Sequence, residues 1–304
     1  MNIVIVGAGA LGAYYGGRWE EAGQSVQFLV RKNRARQLKE QGLYITSTHG
    51  NYQFDKVDFT ENVEEIKTPD LVVLAVKGYH LKGTIPSLKN LVANGAKVLP
   101  LLNGIEQISI LQQELGEEAV IGGSAYIIAT LDDKGHVVHT NQQHDLVFGP
   151  LHPSQQEICN KLETISGKAK MNSRLSGQIL WELWNKYMFI TAFSGVTTAS
   201  NLPIGIILSY PETSDLLKKV LVEMQLLARA QGISITDESV SQAFSKFQAF
   251  PEEATSSMHQ DKRKGLTLEL DHLQGGALRL AEKEGISLPV ISILYGLIKP
   301  YENS

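Results

Sequence analysis

Residues 2–12 read Asn2-Ile3-Val4-Ile5-Val6-Gly7-Ala8-Gly9-Ala10-Leu11-Gly12, and the fold class of the N-terminal half follows from their pattern. A short β-branched apolar run that stops at glycine predicts a buried parallel strand feeding a tight turn. The segment 10–22 that follows has helical texture, so the glycines fall as G-x-G-x-x-G between a strand and a helix. Each glycine then has its own task. Gly7 permits the sharp turn, Gly9 lets backbone approach a pyrophosphate with no Cβ in the way, and Gly12 lets the helix pack close to the strand. Amides at the helix N-terminus, from Ala8 through Ala10 and Leu11, face an anion there. A glycine-rich turn with no ligand is the competing reading, and the strand-loop-helix context favours a dinucleotide.

Working outward, residues 25–30 read as a second strand, which closes a βαβ unit of the size of a mononucleotide-binding half. Further strands are predicted at 71–76, 97–102, 119–122 and 136–140, separated by helix-like stretches. This alternation predicts a doubly wound parallel sheet. Beyond about Asn172 the texture becomes helical, with helices predicted at 178–193, 214–231, 237–247 and 266–284. Leu216, Val220, Met224 and Leu227 mark one apolar stripe, and Gly232 and Gly285 are C-terminal stops. The expected organisation is an α/β dinucleotide-binding domain over 1–172 followed by an all-α domain over 173–304.

Composition is consistent with two packed soluble domains. The chain has 304 residues, 43% hydrophobic and 20% charged, with a net charge of -4, which argues against a nucleic-acid surface. Cys159 is the sole cysteine, so no internal disulfide forms and a reducing, cytoplasmic setting is expected. Met1 and Asn2 lead straight into the first strand without a basic leader, and no apolar run has the ~18 residues of a membrane helix. No Cys/His spacing suggests a metal.

The second predicted strand ends at Arg31 and Lys32, with Arg34 close by, where an NAD site usually offers an acidic residue to the ribose. Cations at this place suit a 2′-phosphate, and Arg can hold one with two parallel hydrogen bonds, so NADPH/NADP is favoured over NAD; a solvated basic loop is the alternative. Lys77 follows the strand LVVLAV and Asn103 follows KVLPLL, both at carboxyl ends, where such sheets build their ligand crevice. Either residue alone reads equally well as an exposed lysine or an Asn-Gly turn.

In the helical half, WELWNKYMFITAFSG places Lys186 on one helix edge with Ile190, Phe193 and Ser194. A lysine among such neighbours is partly desolvated, which lowers its pKa toward a value useful for proton transfer; a snorkelling solvated lysine is the competing reading. A polar cluster, Ser256-Ser257-Met258-His259-Gln260-Asp261, precedes LTLELDHLQGG, where Glu269 interrupts an apolar stripe and either faces water or meets a cation. Gly275-Gly276 suggests close helix approach. His139, His144 and His259 lack metal-ligand spacing and read as surface or packing residues.

GAGALG, Arg31, AVKGY with Lys77, LLNG with Asn103, LWNK with Lys186, and SSMHQD followed by LELD occur in an order that resembles the ketopantoate reductase family over nearly the whole chain. The resemblance implies a Rossmann domain followed by a helical domain, NADPH as hydride donor, a small 2-keto acid as substrate, and a homodimer. It implies Lys186 as general acid, Glu269 as its orienting carboxylate, Lys77 and Asn103 beside nicotinamide and substrate carbonyl, and Ser257 on the substrate carboxylate. Well-matched members carry asparagine where this chain has Ile190 and Ser194; Ile190 offers no hydrogen bond, and Ser194 is shorter. Reduction of ketopantoate in pantothenate synthesis is therefore weighed against reduction of a more apolar 2-keto acid, and against a dinucleotide-sensing protein without turnover.

Overall fold

The computed structural model describes residues 1–54 and 56–303, which form two compact units. The first comprises Met1–Leu102 with Gln107–Ile179, and the second comprises Asn103–Glu106 with Leu180–Ser304.

Chain order in the first unit is β1 (Asn2–Val6), α1 (Ala10–Glu21), β2 (Ser25–Leu29), α2 (Lys32–Gln41), β3 (Tyr44–Ser47), β4 (Tyr52–Gln53), β5 (Phe59–Thr60), β6 (Leu71–Leu74), α3 (Leu81–Ala93) and β7 (Lys97–Pro100). It continues through α4 (Glu106–Leu115), whose first residue groups with the second unit, then β8 (Gly122–Leu131), β9 (Val137–Gly149), α5 (Gln156–Ser166) and β10 (Asn172–Leu175). The leading sheet runs β5-β2-β1-β6-β7, every neighbouring pair parallel. Ile3 pairs with Val26 on one side and Leu71 on the other. β6 is buried at every residue and β1 at all but Asn2, which is why both read as unbroken apolar runs rather than alternating ones. The expected doubly wound sheet is present.

A second sheet was not expected, the strands at 119–122 and 136–140 having been assigned to the first. Its order is β10-β9-β3-β4, with β8 antiparallel to β9. The segment expected as a strand at 119–122 holds the end of a 3-10 turn and the first residue of β8, and 136–140 lies largely at the start of the longer β9. The hairpin tip carries exposed and half-buried polar residues, so it lacks an apolar signal. Asn172–Leu175 pairs in parallel with Asp145–Phe148, which puts the expected boundary at 172/173 inside the first unit. The pattern of β10, exposed and half-buried throughout, explains why the sequence shows no strand there.

In the second unit the helices are α6 (Ile179–Ser200), which begins at the unit boundary, α7 (Ile204–Ser209), α8 (Pro211–Ala230), α9 (Asp237–Gln248), α10 (Ser257–Arg263), α11 (Gly276–Lys283) and α12 (Pro289–Ile298). Leu183, Trp184, Tyr187, Met188, Ala192 and Val196 are all buried, so α6 is covered around most of its circumference. The buried stripe of α8 includes Leu217, Val220, Met224 and Leu227; Leu216 is only half-buried. Gly232 and Gly285 end their helices in left-handed conformation, at φ 76 and 66, as expected. The helix expected over 266–284 does not start at Leu266. Gly265 turns the chain at φ 64, Leu266–Leu268 are not helical, and a π turn at Asp271–Gly275 precedes α11. No described helix is long and apolar enough to cross a membrane.

Candidate active site

In the glycine loop of the first unit, the turn at Gly7 and the close packing at Gly12 are as their spacing predicts. Gly7 has φ 102, and a Cβ there would lie 2.7 Å from the Ala75 carbonyl oxygen. A Cβ on Gly12 would lie 2.2 Å from the Gly7 carbonyl and 2.9 Å from the Ile5 side chain, so only glycine lets α1 sit this close to β1. Around Gly9 a Cβ would meet nothing within 4 Å, leaving open space beside the backbone. Gly9 caps α1 with no side-chain hydrogen bond, so no capping side chain takes up the first amides of the helix, those of Ala10, Leu11 and Gly12. A groove of about 670 Å³ passes Gly7, Ala8, Gly9, Arg31, Lys32 and Thr84. An extended anionic ligand fits these donors.

Arg31 stands at the N-cap of α2, exposed, at the end of β2. Arg34 has a different job from the one expected. Its Nε donates to the Ala8 carbonyl at 2.9 Å and its Nη2 to the Gly135 carbonyl at 2.9 Å, tying the glycine loop to the turn between β8 and β9. Its Nη1 also bonds Gln37. Burial of this guanidinium lowers its pKa from the usual value. Arg31 and Lys32 thus remain as the exposed cations of the groove. Lys77, half-buried, sits at the N-cap of a short 3-10 turn beyond the carboxyl end of β6.

In the second unit, α6 holds Lys186 partly buried. Desolvation pulls its pKa down to about 8, against the opposing pull of the Glu269 charge. Glu269 is only 4% exposed, so the alternative of a solvent-facing helix edge does not hold. It lies immediately before the irregular helical stretch, where the adjoining backbone is fastened by Glu302: the Leu268 amide donates to the Glu302 carbonyl at 2.9 Å and the Asp271 amide to Glu302 Oε1 at 3.1 Å. Ile190 is half-buried and Ser194 buried on α6. Phe193 belongs to an aromatic cluster, its ring centroid 5.4 Å from Phe250 and 5.8 Å from Phe247.

The two serines of the polar cluster divide their work. Ser256 is buried, accepts from the His259 amide at 3.1 Å, and shares a 2.8 Å hydrogen bond with Thr197. It is the cap of α10, which leaves Ser257 exposed at the first helical position. Asn103 groups with this unit, and its backbone is hydrogen-bonded to the His272 ring. Glu106, in the same segment, is paired with Arg279 of α11 at 2.7 Å. Gly276 makes room for that carboxylate, since a Cβ would lie 2.9 Å from Glu106 Oε2 and 3.3 Å from the Tyr187 hydroxyl. The Gly275-Gly276 pair therefore serves a close approach, as its sequence suggested.

Lys186, Glu269, Asn103, Ser194 and Ser257 all lie in the second unit, and Glu269 acts electrostatically on both Lys186 and His272. His272, Glu106 and Arg279 were not singled out from the sequence. The only available signal was a histidine and an arginine flanking the glycine pair. His139 and His144 are buried and stack with His49, the His49–His144 ring centroids being 3.6 Å apart. His259 bonds Asn201 at 3.0 Å. Among the described residues no group of three or more His, Cys, Asp or Glu is placed to hold a metal ion.

A model of the ketopantoate reductase PanE/ApbA family matches residues 3–153, and the model of that family's C-terminal region matches residues 178–302. The chain is similar to the uncharacterized oxidoreductase YkpB of Bacillus subtilis, 33% identical over 302 residues that cover 99% of each chain. It is 25% identical to a 2-dehydropantoate 2-reductase of Nostoc sp., over 97% of this chain and 93% of that protein. The crystal structure of a 2-dehydropantoate 2-reductase from Geobacter metallireducens superposes with a TM-score of 0.90 at 27% identity, covering 99% of both chains. A D-mandelate dehydrogenase solved with NADH and anilino(oxo)acetate superposes with a TM-score of 0.88 at 22% identity, covering 100% of this chain and 99% of that one, and so shares the fold.

Proposed function

The chain belongs to the ketopantoate reductase family, and from that premise we propose that it is an NADPH-dependent reductase of a small 2-keto acid, with ketopantoate as the first candidate substrate. The observation that carries this reading is Lys186, partly buried, with a pKa of about 8 and the Glu269 charge beside it. A lysine tuned to this range holds a proton near neutrality and gives it up readily, as a general acid must. Bound reduced nicotinamide would supply hydride to the carbonyl carbon. Lys186 stabilises the negative charge that develops on the carbonyl oxygen and donates its proton there. Glu269 keeps the ammonium form available by favouring its charge. Ser257, exposed at the first turn of α10, is available to the substrate carboxylate.

The glycine loop and its exposed Arg31 and Lys32 support the phosphorylated dinucleotide. A second reading is favoured by Ile190, one turn beyond Lys186, and by the Phe193 cluster: the substrate is then a more apolar 2-keto acid. Steady-state oxidation of NADPH and NADH with ketopantoate and with 2-ketoisovalerate tests both. Ketopantoate-dependent oxidation with NADPH preferred is expected. An efficiency with ketopantoate far below that with 2-ketoisovalerate establishes the second reading, and dinucleotide binding without turnover of any 2-keto acid defeats both.

A further inference from the structure

A buried polar atom left without a partner costs about 1–3 kcal/mol, so where a folded protein keeps one beside reactive groups, a ligand is a natural source of the missing bond. His272 carries such an atom. Its ring belongs to the π turn Asp271–Gly275, just after Glu269, and its Nε2 is buried with no hydrogen-bond partner among the described residues. π turns of this kind are frequent at functional sites.

The other side of the ring is fixed. It is hydrogen-bonded to the Asn103 backbone in the sense that favours the N–H form, so a ring N–H donates to the Asn103 carbonyl. With Nε2 unpartnered, that donor is Nδ1, and Nε2 of the neutral imidazole presents a lone pair. Burial lowers the imidazole pKa and so favours its neutral form, working against Glu269, the Asn103 hydrogen bond and Glu106 and together with Arg279. Because Glu269 acts on both His272 and Lys186, this lone pair stands in the same charged neighbourhood as the proton donor.

The chemistry of the vacancy is selective. A ketone oxygen and an ionised carboxylate carry lone pairs only and would repel Nε2, whereas a hydroxyl can donate to it. On α6 the residue one turn past Lys186 is Ile190, which has no hydrogen bond to give or accept. We propose that His272 is a specificity-determining residue of the reductase, its Nε2 accepting a hydrogen bond from a hydroxyl group on the 2-keto acid. This rests on the 2-keto acid reading above and deepens it, because the favoured substrate then bears a hydroxyl in addition to its carboxylate and ketone.

The test compares kcat/KM for ketopantoate with that for its deshydroxy analogue, 3,3-dimethyl-2-oxobutanoate, in the unsubstituted protein, in His272→Phe and in His272→Asn. The unsubstituted protein is expected to favour the hydroxylated acid by about tenfold or more, as sites that pair a substrate hydroxyl do. His272→Phe should erase that preference, the two acids then having similar kcat/KM whatever its absolute value, and His272→Asn, which restores an acceptor, should recover part of it. An unchanged preference in His272→Phe overturns the proposal. A measurement on the unsubstituted protein is independent of variant folding: with NADP bound, pantoate should move the imidazole 15N resonance of His272 Nε2, and 2-hydroxy-3,3-dimethylbutanoate should not. Equal shifts with both acids, or none with either, overturn the proposal. Absence of NADPH oxidation with either keto acid would instead remove the reductase reading, and the 15N measurement would still decide the role of His272.

Discussion

Arg279 Nη2 lies 2.7 Å from Glu106 Oε2, and the same guanidinium reaches Asp271 Oδ1 at 3.0 Å, so one arginine of α11 fastens both the segment that carries Asn103 and the turn that carries His272. The Glu106 side chain is 10% exposed and that of Arg279 43% exposed, which places the pair between a surface bridge and a buried one. Arg279→Ala is therefore expected to cost about 1–2 kcal/mol of stability by leaving the Glu106 charge poorly paired. Urea unfolding measures this, and an unchanged midpoint would show that the pair does not fasten the segment. Arg279→Lys should recover only part of the loss, since it cannot hold two carboxylates in one planar fork.

Lys186→Ala is expected to lower kcat by about 10²–10⁴-fold with little change in dinucleotide affinity, because the proposed proton donor is lost while the glycine loop is untouched. Reduction requires the ammonium form, so activity should be full below a pH of about 8 and fall as pH rises through that value. Glu269 opposes the downward shift of Lys186, so Glu269→Gln should move the descending limb to lower pH. A limb that stays in place would separate Glu269 from the proton donor.

How much of this was legible depended on whether a residue's role is local. The tasks of Gly7 and Gly12 follow from their spacing after a strand, and the packing around each agrees. Lys186 stood out because an apolar helix carried a single cation. His272 did not, since its importance comes from Asn103, far away in the chain, and no periodicity records such a pairing. Arg34 was misread for the same reason: its partners are the carbonyls of Ala8 and Gly135, and a basic run looks alike whether it faces a phosphate or the protein's own backbone. β10 was invisible because it is defined by pairing with β9, while its own side chains stay exposed or half-buried.

Gly9→Ala and Gly12→Ala should fail in different ways. Nothing lies within 4 Å of a Cβ at Gly9, so that variant should fold with near-normal stability and bind dinucleotide on the order of tenfold more weakly, its methyl intruding where the ligand approaches. At Gly12 the Cβ would lie 2.2 Å from the Gly7 carbonyl, a contact that forces α1 off β1. The expected cost is about 2–3 kcal/mol of stability. Thermal melting with and without NADPH distinguishes the two.

The stack of His49, His139 and His144 makes the first unit sensitive to acid. Burial and the neighbouring imidazoles lower the His144 pKa from 6.5 to about 4. The unfolded chain therefore binds a proton there before the folded one does, and stability is lost as pH falls from 6.5 toward 4, by up to roughly 3 kcal/mol. Unfolding midpoints measured between pH 7 and pH 4 should show the slope, and His144→Gln should flatten it. A slope that survives the substitution would assign the acid sensitivity elsewhere.

Arg31 and Arg34 separate cofactor choice from cofactor binding. Arg31 is exposed beside the groove, and its charge is felt at His80, whose pKa it helps to lower. If Arg31 holds the 2′-phosphate, its removal costs a charge-assisted hydrogen bond that NADH never makes, so Arg31→Ala should lower the NADPH-over-NADH preference by about 10- to 100-fold with NADH affinity nearly unchanged. Arg34 instead bridges the Ala8 and Gly135 carbonyls, which shapes the loop for either dinucleotide. Arg34→Lys can keep one of those bonds and not both, so affinity for NADPH and NADH should fall together and their ratio should hold. Dissociation constants of both dinucleotides for both variants decide the matter: a ratio that collapses in Arg34→Lys and survives in Arg31→Ala would exchange the two assignments.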